Sequence, residues 1–107
     1  MDLLVVEKHA GEGAFPLFPK GTPVQITGGE DEEYTGWYPC SISDHNTYIP
    51  DVYVTDGHLV QDYNPSELVA EKGQMVALIR IVYEWLYVKD IISGKIGWIP
   101  ASKVISV

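Results

Sequence analysis

Strand-length apolar or alternating runs, separated by turn residues every eight to twelve positions, recur along the whole chain. Gln74 to Val82 and Trp85 to Lys89 read as strands, rich in Val, Ile, Leu, Tyr and Trp. Within the first, Met75 to Ile79 is apolar at every position, a pattern that predicts burial on both faces. Leu3-Leu4-Val5-Val6 is a second run of strand length. Near the C-terminus, Ser93 to Val104 places a hairpin turn at Gly94, a strand through Trp98 and Ile99, and a last strand within twelve residues. Pro100 ends the ladder between them because it has no N–H to donate. No segment carries sustained helical spacing with caps. Single 3₁₀ turns are expected after each Ile-Pro, at Asp51-Val52 and Ala101-Ser102. The chain is expected to be all-β.

The runs also repeat. Lys20-Gly21-Thr22-Pro23-Val24 matches Lys72-Gly73-Gln74-Met75-Val76 at an offset of 52. Gly36-Trp37-Tyr38 matches Glu84-Trp85-Leu86 at 48, and Tyr48-Ile49-Pro50-Asp51-Val52-Tyr53-Val54 matches Trp98-Ile99-Pro100-Ala101-Ser102-Lys103-Val104 at 50. Three landmarks in one order point to two copies of a β unit, with loop lengths accounting for the drift. The turn signal Asp56-Gly57-His58 predicts a boundary there, giving domains 1–57 and 58–107. Units of about 50 residues are near the lower limit for independent folding, so the two are expected to pack together.

This grammar resembles the Src-homology-3 domain, a small five-stranded barrel, in two tandem copies of a divergent, bacterial-type variant. In the second copy, Asp62-Tyr63 resembles the end of the family's A-L-Y-D-Y strand, and Glu67-Leu68 with Lys72-Gly73-Gln74 resembles E-L-S-F-x-K-G-D. Gly97 to Val104 resembles G-x-I-P-S-N-Y-V, and Trp85 takes the groove tryptophan position. In the first copy, Leu17-Phe18-Pro19-Lys20-Gly21 resembles L-S-F-x-K-G, Trp37 takes the tryptophan position, and Ile49 to Val54 resembles I-P-S-N-Y-V. The family lays polyproline ligands across aromatic residues and holds a ligand Arg or Lys with an acidic loop. The resemblance thus implies ligand-binding roles for Trp37, Pro50 and Tyr53 in one copy and Tyr63, Trp85 and Pro100 in the other. It also departs from the pattern: Gln61 and Lys103 stand where the family has tyrosines, and the 9–16 loop carries Glu12 as its only acid.

Charge sharpens the functional reading. The net charge is −8, and residues 1–58 hold ten acids against Lys8 and Lys20, whereas residues 59–107 balance five acids with five bases. Neither half offers the basic surplus that phosphate contacts need, so nucleic-acid binding is disfavoured. Glu30-Asp31-Glu32-Glu33, just before Trp37, would attract a basic peptide, although a solvated hairpin tip explains four acids as simply. No apolar run approaches the length of a membrane span, and Met1-Asp2-Leu3-Leu4 lacks the features of a secretory signal. The single cysteine, Cys40, fits a reducing cytoplasm. His9, His45 and His58 sit singly beside turn signals, and no catalytic, cofactor-binding or metal-binding motif is present.

These observations predict a cytoplasmic, non-catalytic module that binds a peptide or protein surface, basic or proline-containing, with no cofactor or metal. Trp37, Pro50, Tyr53, Glu30, Asp31, Glu32, Glu33, Tyr63, Trp85 and Pro100 are the candidate ligand-binding residues. Two other readings stay open. Gly36-Trp37-Tyr38-Pro39-Cys40-Ser41-Ile42 also resembles a strand of Tudor- or Agenet-like readers, whose aromatic cages hold methylated Lys or Arg. A structural or assembly subunit that self-associates through a flat β surface is the third.

Overall fold

The computed structural model describes residues 1–11 and 13–107, so Glu12, the single acid of the 9–16 loop, lies outside the described residues. Among the described residues ten strands follow one another: β1 (Asp2–Val5), β2 (Gln25–Ile26), β3 (Trp37–Ile42), β4 (His45–Pro50), β5 (Val54–Thr55), β6 (His58–Leu59), β7 (Met75–Val82), β8 (Trp85–Asp90), β9 (Ile96–Pro100) and β10 (Val104–Ser106). The expected 3₁₀ turns are present at Asp51–Tyr53 and Ala101–Lys103. The protein is all-β.

It divides into two compact units, and the division is discontinuous. One unit, split in sequence, comprises Met1–Ala14 and Ser66–Val107; the other, inserted within it, is Phe15–Pro65. The boundary predicted at residues 57 and 58 is corrected accordingly. The turn at Asp56-Gly57 lies inside a hairpin, because Val54 pairs with Leu59 and Thr55 with His58 across it. β1 does not join the first half either, since it pairs with β7 and β10 near the other end of the chain.

The split unit holds a five-stranded sheet in the order β10-β1-β7-β8-β9. Its core is made by residues on alternating positions: Leu3 and Val5 of β1, Val76 of β7, Leu86 and Val88 of β8, Ile99 of β9 and Val104 of β10, with Leu68 and Ala70. The Met75–Ile79 run is not buried on both faces. A β-bulge between Leu78 and Arg80 leaves Ile79 without a cross-strand partner, and Ile79 is exposed.

The inserted unit holds a β2-β3-β4 sheet and the β5-β6 hairpin, joined by a bridge between Pro23 and His58. Its two ends are drawn together by the Phe18–Tyr63 bridge, in which each residue's N–H reaches the other's carbonyl at 2.8 Å. Pro39 sits inside β3 because its missing N–H falls on the side of short β2, while its carbonyl accepts the Thr27 N–H at 2.9 Å. Gly28 makes room for the proline ring: a Cβ there would stand 3.0 Å from Pro39 Cγ.

The sequence repeat is a repeat of register. Gln25–Ser41 and Ile26–Cys40 pair as Ala77–Lys89 and Leu78–Val88 do, and Trp37–Pro50 pairs as Trp85–Pro100 does. The units differ in one connection. The strand after the 3₁₀ turn pairs with β1 in the split unit, but with β6, which follows it in sequence, in the inserted unit. The sheets are open, ending at β9 and β10 in the split unit and at β4 in the inserted one, so among the described residues strand pairing closes no barrel.

Candidate functional site

The aromatic positions assigned to grooves are for the most part packing residues. Trp37 opens β3 opposite Pro50, and both are buried, Trp37 to 6% exposure. Tyr53 ends the 3₁₀ turn at 4% exposure. Tyr63, assigned by resemblance to the other copy, meets Tyr53 edge to face with ring centroids 5.4 Å apart. The β5-β6 hairpin carries the chain back and brings them together. Tyr63 donates its hydroxyl to the Tyr48 carbonyl at 2.5 Å, the partner that a buried phenol needs. The expectation that Trp37, Pro50 and Tyr53 wall an exposed groove is therefore corrected. Trp37 and Tyr38, neighbours on β3, project from opposite faces, so an aromatic cage of Trp37, Tyr38 and Tyr53 does not form.

In the split unit, Trp85 faces Pro100 across β8 and β9. Pro100 is buried and Trp85 half-buried, with its ring edge to face with His9 at 5.8 Å. His9 is the residue that sequence reasoning misplaced. Beside turn signals it reads as a loop histidine, yet it is buried, and its backbone bridges Ala70. Its Nε2 lies 2.8 Å from Glu67 Oε1, and Lys103 Nζ lies 3.2 Å from its Nδ1. A lysine ammonium has no lone pair, so Nδ1 accepts and Nε2–H donates to Glu67. Lys103, which replaces a ligand-facing tyrosine in the resemblance, also donates to the Lys8 carbonyl at 3.1 Å. The position has become a tie across the unit.

The acidic loop splits into two pairs. Glu30 Oε2 accepts the Gly36 N–H at 2.7 Å, and Asp31 Oδ2 accepts those of Tyr34 at 2.9 Å and Glu33 at 3.2 Å. The Asp31 N–H reaches the Trp37 carbonyl at 2.8 Å. These two carboxylates shape the loop, whereas Glu32 and Glu33 are exposed. His45 and His58 each bring Nδ1 to the carbonyl of the first residue of the preceding turn, Ser43 and Asp56. Both turns have two residues at positive φ, the geometry of tight hairpins.

No known protein family, curated protein or solved structure matches this chain. Function must be read from its own chemistry.

Among the described residues no group of three or more His, Cys, Asp or Glu is placed to hold a metal ion, and no helix is long and apolar enough to cross a membrane. Cys40 faces inward on β3 at 1% exposure, and burial pushes its thiol up to about 11. Because the thiolate is the nucleophile, Cys40 is expected to stay unmodified by an aromatic disulfide reagent at pH 8 until urea unfolds the chain. Labelling of the native protein at the rate of a free thiol would refute that burial.

The boundary between units concentrates the charge more than the sequence halves do. Phe15–Pro65 holds eight acids against the single base Lys20, while the split unit holds seven acids against six bases. Nearly all the net charge belongs to the inserted unit.

Proposed function

We propose that this protein is a non-catalytic binding module whose inserted unit recognises a basic peptide or a basic protein surface. The observation that carries this reading is the segregation of charge: the inserted unit has a net charge of −7 out of −8. A field of one sign over a small unit raises the encounter rate with partners of opposite sign and disfavours acidic ones. Exposed Leu17, Ile26, Tyr48, Val52 and Val60 supply apolar contact on the same unit. Two copies of a unit with a strand, an Ile-Pro stop, a 3₁₀ turn and a last strand are consistent with divergent Src-homology-3-like folds, although the groove of that family is not where this chain keeps its aromatic residues accessible.

The test is binding of fluorescent Lys-rich and Glu-rich octapeptides to the full chain at low and high salt. The Lys-rich peptide should bind, and should weaken steeply as salt rises; equal binding of both peptides would sink the proposal. Glu32→Lys with Glu33→Lys, which leaves the loop-shaping carboxylates in place, should weaken the basic peptide about tenfold at low salt with circular dichroism unchanged.

A further inference from the structure

The register of the two units reveals an edge that pairs with backbone in one and, among the described residues, with no backbone in the other. In the split unit, β9 is covered. The Trp98 N–H donates to the Ser66 carbonyl at 3.0 Å, and the Trp98 carbonyl accepts the Leu68 N–H at 2.9 Å. Ser66 to Leu68 therefore lies beside β9 as a short parallel strand, with Glu67 opposite Trp98.

Tyr48 is the counterpart of Trp98, fifty positions earlier, and holds the same place on β4. Its partner on β3 is Pro39, whose carbonyl points to the β2 side and accepts Thr27 N–H. Tyr48 is thus at a non-hydrogen-bonded position, and its own N–H and carbonyl point outward from the sheet. Asn46, paired with Ser41 two residues away, shares that orientation. Among the described residues no strand or bridge lies beside β4 on its outer side. The Tyr48 carbonyl is instead held by the Tyr63 hydroxyl, and Tyr48 is 49% exposed.

We propose that the outer edge of β4 is a strand-addition site for an extended basic segment of a partner. It would lie beside Tyr48 as Ser66–Leu68 lies beside Trp98. One residue of the segment gives its carbonyl to the Tyr48 N–H. The residue two further on gives its N–H to the Tyr48 carbonyl and displaces the Tyr63 hydroxyl. Backbone pairing supplies contacts that do not depend on side chains, and charge selects the partner. Exposed carboxylates stand at both ends of the strand, Asp44 before it and Asp51 after it. They favour Lys or Arg about six residues apart, the span of β4 at roughly 3.3 Å per residue. The −7 charge of the inserted unit opposes the other obvious occupant, the same edge of a second copy.

This inference rests on the reading of the chain as a binder of basic peptides, and the experiment separates the two. The probe is Lys-Val-Thr-Val-Thr-Val-Lys, with a second version methylated at every backbone nitrogen, against the full chain. The expected result is binding of the parent peptide alone, with exchange of the Tyr48 and Asn46 amides slowed about tenfold. Tyr63→Phe removes the competing hydroxyl and should tighten binding several-fold. Binding of both peptides, or binding with those amides unaffected, overturns strand addition and leaves the basic-partner reading standing. Binding of neither overturns both. A stable dimer that protects the same amides without peptide overturns the choice of partner in favour of a second copy.

Discussion

Gly97→Ala is expected to destabilise the protein by about 3–5 kcal/mol, although it adds a single methyl group. A Cβ at Gly97 would lie 2.6 Å from the Leu68 nitrogen, 2.9 Å from the Glu67 carbonyl carbon and 3.0 Å from the Leu68 Cα. All three are backbone atoms, so no rotamer change relieves the overlap. The covering strand cannot retreat without stretching its bonds to Trp98, at 3.0 and 2.9 Å, and without lifting buried Leu68 from the core. Overpacking of this kind costs about 1–3 kcal/mol, and each lost hydrogen bond about 0.5–1.5 kcal/mol. Urea unfolding checks it directly. A midpoint within error of wild type would mean that the strand over β9 is not held as described.

Asp90→Ala should cost about 2–3 kcal/mol at neutral pH and should also change the response to acid. Asp90 is buried at the end of β8, where Oδ1 accepts the N–H groups of Ile92 at 2.8 Å and Ser93 at 3.1 Å. Gln74 Nε2 donates to Oδ2, and Gln74 is itself oriented by accepting the Glu71 N–H through Oε1. The Ser93 N–H, then that of Ile92, holds the Asp90 carboxyl below the usual carboxylate range against the opposing effect of burial. The sign follows. A carboxyl lowered on folding adds stability at pH values above its unfolded value, about 3.9, and loses it as pH falls through the depressed folded value. Wild type should therefore show an acid limb of falling stability below about pH 4 that Asp90→Ala flattens. Asn is not a neutral replacement, because its NH₂ would face the Gln74 NH₂. Equal slopes of stability against pH for wild type and Asp90→Ala would refute this account.

Where the sequence carried local chemistry, it predicted the structure well. The tryptophans that open β3 and β8 and the prolines of the Ile-Pro stops recur as the same pairs, because turn geometry and proline's missing donor act over a few residues. The division into units escaped, because β1 finds its partners at Val76 and Val104 and nothing in Leu3-Leu4-Val5-Val6 points seventy or a hundred residues ahead. The site is the least legible part. Resemblance assigns Trp37 and Tyr53 to a ligand, yet in a small all-β unit a large aromatic residue is also the most effective core filler. One signal for His9 did exist. Lys103 and Glu67 both break the apolar texture near landmarks of the repeat, and long charged side chains there invite a polar partner.

The insertion of one unit within the other bears on the order in which the chain becomes structured. Joining β1 to β7 closes a loop from Val6 to Gln74, but once the inserted unit is formed its ends meet at Phe18 and Tyr63. The flexible chain left to close is then a fraction of that length, which lowers the entropic cost of the split unit by roughly 1 kcal/mol. The inserted unit is contiguous and needs no such help. In refolding, the amides of Leu59 and Tyr63 are therefore expected to gain protection before those of Val5 and Val6, and the reverse order in pulse-labelled exchange would overturn this. A contiguous acidic unit that folds first thus shortens the loop that the split unit has to close.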